Sequence, residues 1–555
     1  MRNHNYILPV ILMFCFLTGN RINAQDIKKE IVVVNPYKPT ISDANKINML
    51  PRIKDTVKTV PEFNYKIFPQ RMETQFELRP ISAAKMVGIP LDKLYKSYIK
   101  MGIGNYVTPL LEFSISNLRS KDYLVGADLS HKSSHTNLKL DNNDKVPAGY
   151  SKTQINLYGT KFYKNTNLTA GLGLKSDGIR YYGYNTEKFG DSIPDIKRSG
   201  ITQGYTLFSS RIGIHSTQPD SDKFHYNLKL NYNYFSDKFK HSEQSILFNT
   251  SLSQLVSSFT AGIDFNFHYY QPSASIDSFS NKVLTVNPSI SKQTDLWKFT
   301  LGLNTNTEVS GQSTLYIYPK AMLEFNVVKN VVIPFFGVEG YLEENPYQKI
   351  AAENLFVRPG INVRNSNHKF IGYGGLKGKL SPNATFRLDV NYSQTDNMYL
   401  FVNDTNTLYE NTFDVVYDNV DLIRYHGEVS IDALSNLSFL LQGNYYKYST
   451  SNELKAWHKP QYDFTFSTAY NFHEKIYVNL DLIGIGKRYA KDALQASGYK
   501  ELKGFLDANL GVEYRYSGIL SGFIHFYNFT STKYYIWNQY PSQRFNVMLG
   551  FTYKL

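Results

Sequence analysis

The chain is dominated by strict alternation of apolar and polar residues. Between Phe224 and Tyr234 the apolar positions Phe224, Tyr226, Leu228, Leu230, Tyr232 and Tyr234 interleave with His225, Asn227, Lys229, Asn231 and Asn233. A period of two puts the two sets on opposite faces of a β-strand. Runs this long match tilted membrane strands of about 9–11 residues, whereas soluble strands average about 5–6. The pattern recurs at Phe259–Phe267, Trp297–Leu303, Phe386–Tyr392 and Phe545–Leu555. It predicts an all-β fold, a transmembrane antiparallel outer-membrane β-barrel over residues 96–555. Walking the chain gives about 22 strands (range 18–22), with an even number expected when both ends face the periplasm. The alternation is weakest near 237–257 and 343–370.

The connections follow a second alternation. Short links fall near Arg119–Lys121, Tyr163–Asn165, Gln293–Asp295, Val328–Asn330, Ser381–Asn383, Leu434–Asn436, Phe472–Glu474 and Tyr516–Ser517. Most longer, polar links fall between them, near 133–150, 185–200, 271–281, 343–367, 403–411, 449–456, 490–499 and 532–541. Short periplasmic turns and long outer loops are the habit of outer-membrane barrels. Tyr181-Tyr182-Gly183-Tyr184, Tyr269-Tyr270, Tyr445-Tyr446-Lys447-Tyr448 and Tyr534-Tyr535-Ile536-Trp537 lie at strand ends. They are expected to form an interfacial aromatic girdle, with a ligand-stacking platform as the functional alternative.

The N-terminus is different. Tyr6–Thr18 is an apolar run behind Arg2, too short to span a bilayer and of the right size for a secretory signal. Residues 1–24 are read as a signal peptide cleaved before Gln25. The chain's one cysteine, Cys15, falls inside it, so no disulfide or Cys-ligated zinc site is expected. Residues 25–95 contain Pro36, Pro39, Pro51, Pro61, Pro69, Pro80 and Pro90. They form an extended Pro-rich segment without strand or helix period, periplasmic or occluding the lumen. Within it Glu30, Ile31, Val32, Val33 and Val34 make a short β-branched run able to add to a sheet edge.

Composition fits a barrel. Aromatics reach 15% of the 555 residues and charged residues only 19%. Aromatic richness excludes wholesale disorder, and the mean hydropathy of −0.36 excludes a bundle of membrane helices. A net charge of +13 could suggest nucleic acid, but no nucleic-acid motif accompanies it. The expected partners of this charge are outer-membrane lipids and lipopolysaccharide. Lumen positions such as Lys229, Lys298 and Arg387 are further expected to favour anions.

Pro90 to Pro109 (PLDKLYKSYIKMGIGNYVTP) resembles the first barrel hairpin of Bacteroidota outer-membrane proteins of the TonB-dependent-receptor-like type. Asn345–Asn354 is similar to a loop of such receptors, and Trp537 to Leu555 resembles their closing strand. The resemblance implies a 22-stranded barrel in the outer membrane of a Gram-negative cell. Glu30–Val34 is likewise similar to a TonB box, which implies a TonB-type transducer, or another envelope protein, as partner. The chain departs from the family in two ways. It lacks room for a full plug domain, since only about 60 residues separate Val34 from the first strand, and it ends in Leu555 instead of an aromatic. A barrel of about 22 strands is normally plugged. Residues 25–95 and loops such as 343–367 are therefore expected to fill the lumen.

Catalytic motifs are absent from the sequence. There is no HExxH, Walker, GxSxG or CxxC pattern. His426, Glu428, Ser430 and Asp432 share one strand face and are expected to be ordinary lumen residues, as are His225 and His268. No catalytic, cofactor or metal site is expected, and the protein is not expected to be an enzyme. Two roles are considered: solute passage, porin-like or TonB-dependent-receptor-like, and a non-transporting barrel that anchors partners in an envelope complex.

Overall fold

The computed structural model describes residues 94–189, 200–218, 222–277 and 280–555. Leu94–Leu555 forms one compact unit. The expected signal peptide, Glu30–Val34 and the rest of the Pro-rich segment to Lys93 lie outside the described residues.

Twenty-two antiparallel strands form a single closed sheet. The first, Ser97–Gly104, pairs with Thr108–Ser116 on one side and with the last, Asn546–Lys554, on the other. Closure leaves no open sheet edge, so the backbone groups of each strand face neighbours on both sides, as a membrane interior requires. The expected faces are present. Leu301, Leu303, Leu388, Val390, Leu549 and Phe551 point outward and are 44–56% exposed, the lipid-facing band of the barrel. No described helix is long and apolar enough to cross a membrane, and the crossing is made by strands.

All the short links appear where the alternation placed them, on the side of Ser97 and Leu555. That side is periplasmic by the convention of such barrels. The weak stretch near 237–257 turns out to be a complete strand, Ser242–Val256, behind a short outer turn. Its pattern was blurred because Leu247 pairs with inward His268, while polar Gln254 pairs with outward Ala261. The weak stretch near 343–370 is a loop, 344–365, holding a short helix, Tyr347–Glu353.

Two neighbouring strands run far beyond membrane thickness: Ala384–Asn403 has 20 residues and Phe413–Leu434 has 22. A bulge between Thr395 and Met398, with Asn397 at φ +54°, marks where the register breaks. Beyond it one face of this hairpin offers Tyr399, Phe401, Val415 and Tyr417 to a core cluster over the mouth. The other face packs Leu400, Val402 and Val416 against buried Trp457.

Candidate functional site: a loop cap over the outer mouth

Three outer loops meet above the barrel. Loop 181–201 carries Tyr182, loop 344–365 carries Phe356, and loop 528–545 carries Tyr540. Eight, eight and six strands separate their roots around the ring. Eight strands span roughly 40 Å of wall at the usual inter-strand spacing. Yet Phe356 and Tyr540 stack at 3.7 Å between ring centroids, and Tyr182 meets Tyr540 at 4.9 Å and Phe356 at 6.1 Å. The loops therefore reach inward to meet one another, and an aromatic keystone joins them over the outer mouth.

Hydrogen bonds to main-chain oxygens fix the keystone. The Tyr182 hydroxyl donates to the Pro541 carbonyl (2.8 Å), and the Tyr181 hydroxyl to the Val357 carbonyl (2.8 Å). The Tyr540 hydroxyl donates to the Asn411 carbonyl, while Asn411 Nδ2 donates to the Tyr181 carbonyl (2.8 Å). Burial pushes the Tyr540 hydroxyl far above the usual phenol range, so it remains a donor. Around the keystone, Tyr205, Phe235, Tyr347, Ile350, Val357, Ile361 and Phe413 form an apolar core.

The helix Tyr347–Glu353 is fastened to wall strands well around the ring from its own loop. Pro346 supplies no side-chain cap, and Glu243 from a barrel strand takes that role. Its carboxylate accepts the N–H groups of Tyr347 (2.8 Å) and Gln348 (3.3 Å). An acid at a helix N-terminus satisfies free donors and complements the dipole. The Tyr347 hydroxyl donates to Asp237 (2.9 Å), and His268 pairs with Glu344 (2.8 Å).

Loop 528–545 carries a small hairpin, Tyr535–Trp537 with Tyr540–Pro541. The Arg488 guanidinium donates to the carbonyls of Tyr535 and Ile536 and lies over the Phe505 ring. Its burial lowers the guanidinium pKa to about 10, still fully charged near neutrality. His458 Nδ1–H donates to the Phe401 carbonyl (3.0 Å), and its Nε2 accepts the Asn538 N–H (3.4 Å). Burial holds this imidazole near pKa 3, so it stays neutral; Arg488 and Lys459 push the same way. Asp141 receives Lys533 (2.8 Å) and the Tyr535 hydroxyl. Burial would raise its pKa, but these bonds keep it below the usual carboxylate range.

The tyrosine clusters are therefore divided. Tyr445 faces outward, as a girdle residue does, but Tyr181, Tyr182 and Tyr184 and the Tyr534–Trp537 group build the cap. Alternation could not distinguish these roles, because both put tyrosine at strand ends.

Inside the wall the polar residues singled out from the sequence do not converge on one another. His426 reaches Asn444 (2.9 Å) and lies 3.7 Å from Glu428, but these contacts include neither Ser430 nor Asp432. His225 and His268 sit two strands apart, toward opposite ends of the barrel. No group of three or more metal-ligating side chains occurs among the described residues. The expected basic lumen is not found. Lys229, Lys298 and Arg387 do face inward, but so do Asp128, Asp264, Glu324, Asp463 and Asp481. Many charges are paired, as Arg387 and Arg424 are with Asp389 (2.7 and 3.4 Å) and Lys377 is with Glu324 (2.7 Å). Net charge of the chain did not reveal this, because acids interleave with bases on the same face.

No family model and no curated protein matches the chain by sequence. Solved structures match in fold. The FrpB iron transporter from Neisseria meningitidis superposes with a TM-score of 0.64 at 11% identity, over 84% of this chain and 83% of that one. The ferric-catecholate import receptor Fiu from Escherichia coli K12 gives 0.62 at 10% identity, over 84% and 82%. The pyoverdine outer-membrane receptor FpvA from Pseudomonas aeruginosa gives 0.62 at 11% identity, over 83% and 78%. Closed, apolar outside and polar inside, the chain is an outer-membrane β-barrel with the fold of these receptors.

Proposed function

We propose that the barrel passes a solute inward across the outer membrane, in the manner of TonB-dependent receptors and without enzymatic chemistry. One observation carries this: among the described residues, outer loops meet over a polar, charge-balanced lumen and are held together by non-covalent contacts that can be broken and remade. The likeness to iron-compound receptors supports a transport role. The balanced wall supports a cargo that need not be anionic. Glu30–Val34 is proposed to engage a TonB-type transducer from the periplasm, and outer-membrane lipid and lipopolysaccharide to surround the outward band. Proteoliposomes holding the full chain with residues 530–543 replaced by a Gly-Ser linker, which takes away the shut cap, are expected to swell in raffinose faster than proteoliposomes of the parent. If they do not, and mild-detergent purification brings other envelope proteins along, the barrel is a non-transporting scaffold.

A further inference from the structure

We infer that loop 528–545 is the moving strap of the outer seal, and that loop 344–365, with Tyr181 and Tyr182 docked beside it, forms its fixed seat. The difference lies in how the loops are attached. Loop 344–365 is bound as part of the wall: Arg358 N–H donates to the Phe413 carbonyl and Phe413 N–H to the Phe356 carbonyl, beside the Glu243 cap. Tyr181, at the start of its loop, is tied to that seat through Val357 and Asn411. The strap between Asn528 and its return to the last strand is held differently. Its main chain makes one backbone hydrogen bond to the wall, Phe529 N–H to the Ala508 carbonyl. Its other ties to the cap come mainly through side chains, chiefly Arg488, Tyr182, His458 and the Tyr540 ring. Such ties separate without tearing a ladder. At its root Asn528 and Ser531 hold φ of +45° and +55°, conformations of a tight turn that concentrate rotation in a few residues. Lifting the strap unstacks Tyr540 from Phe356 and opens the mouth while the barrel stays whole. This holds whatever the barrel transports.

The test uses the full chain in the outer membrane of intact cells. A reporter cysteine at inward-facing Asn231 is probed from outside with a poly(ethylene glycol)-maleimide too large for porins. Labelling is expected to be slow in the parent and at least tenfold faster in Tyr540→Ala and Arg488→Ala, a tenfold change being about 1.4 kcal/mol. Tyr540→Phe, which keeps the ring and loses one hydrogen bond, should fall between. Heat-modifiable migration on gels confirms that each variant is a folded barrel. Spin labels then identify the moving part. The Ile536→Cys with Leu408→Cys distance should gain a longer population in Tyr540→Ala, while the distance from Leu408→Cys to Ala352→Cys on the seat loop stays unchanged. Fast labelling of the parent, equal labelling of parent and variants, or broadening of both distances together would each overturn the proposal. Failure of raffinose swelling would leave these outcomes untouched, so the strap and the transport role fail separately.

Discussion

Gly183 lies against the strap and gives the sharpest test of the keystone. A Cβ at this position would stand 2.6 Å from the Gln539 carbonyl oxygen and 3.2 Å from the Gln539 Cβ. Gln539 has little freedom to retreat, since it already holds φ +70° in the tip of the strap hairpin. Gly183→Ala should therefore wedge loop 181–201 from the strap. Overpacking of a fitted contact costs about 1–3 kcal/mol. Applied to the closed cap alone, that raises the open fraction roughly 5- to 150-fold. The assay is maleimide labelling of Asn231→Cys from outside the cell, with barrel integrity followed by heat-modifiable migration. Gly204→Ala is the matched control: a Cβ there meets nothing within 4 Å. Gly183→Ala should accelerate labelling within that range, and Gly204→Ala should leave it unchanged. Equal rates for both variants would refute the close approach and, with it, the keystone.

Other expectations follow from the same contacts. Glu243→Ala removes two helix-terminal acceptor bonds and should cost about 1–3 kcal/mol locally, seen as faster proteolysis within 344–365 at unchanged barrel melting. His458 is neutral in the closed cap and has an ordinary pKa once exposed. Closure is thus at full strength above about pH 6.5 and weakens as pH falls toward 3. At pH 5 the loss is about 2 kcal/mol, so labelling should quicken between pH 7 and 5, and His458→Asn should flatten that slope. The balanced wall predicts a reversal potential near zero for Tyr540→Ala barrels in a salt gradient, and strong anion selectivity would contradict it. Deleting Glu30–Val34 should abolish co-purification with a TonB-type transducer, and retained binding would remove that segment from the proposal.

Much of the barrel was legible before any coordinates. A closed membrane wall needs two chemically opposite faces at a period of two, and that need is written locally at each residue, as in Phe224–Tyr234. The turns were legible too, because short links and polar loops differ in length and composition. The blurred strand Ser242–Val256 marks the limit. Where outward residues are polar and an inward one is leucine, pairing with neighbours decides the strand and the local pattern does not.

The cap lay beyond that limit. Tyr182, Phe356 and Tyr540 are 174 and 184 residues apart in sequence and sit in segments with no period. Their meeting follows from the circular order of 22 strands, which brings three loop roots nearly evenly around one opening. The charge of the lumen was hidden for a related reason: composition sums charges, while the lumen face sets Asp389 against Arg387 on its own strand and Arg424 on the next. Sequence by itself determined the wall, because each strand's faces answer to lipid or water one residue at a time. Only tertiary structure decided what closes the wall and how its charges cancel, because those depend on residues that closure of the ring brings together.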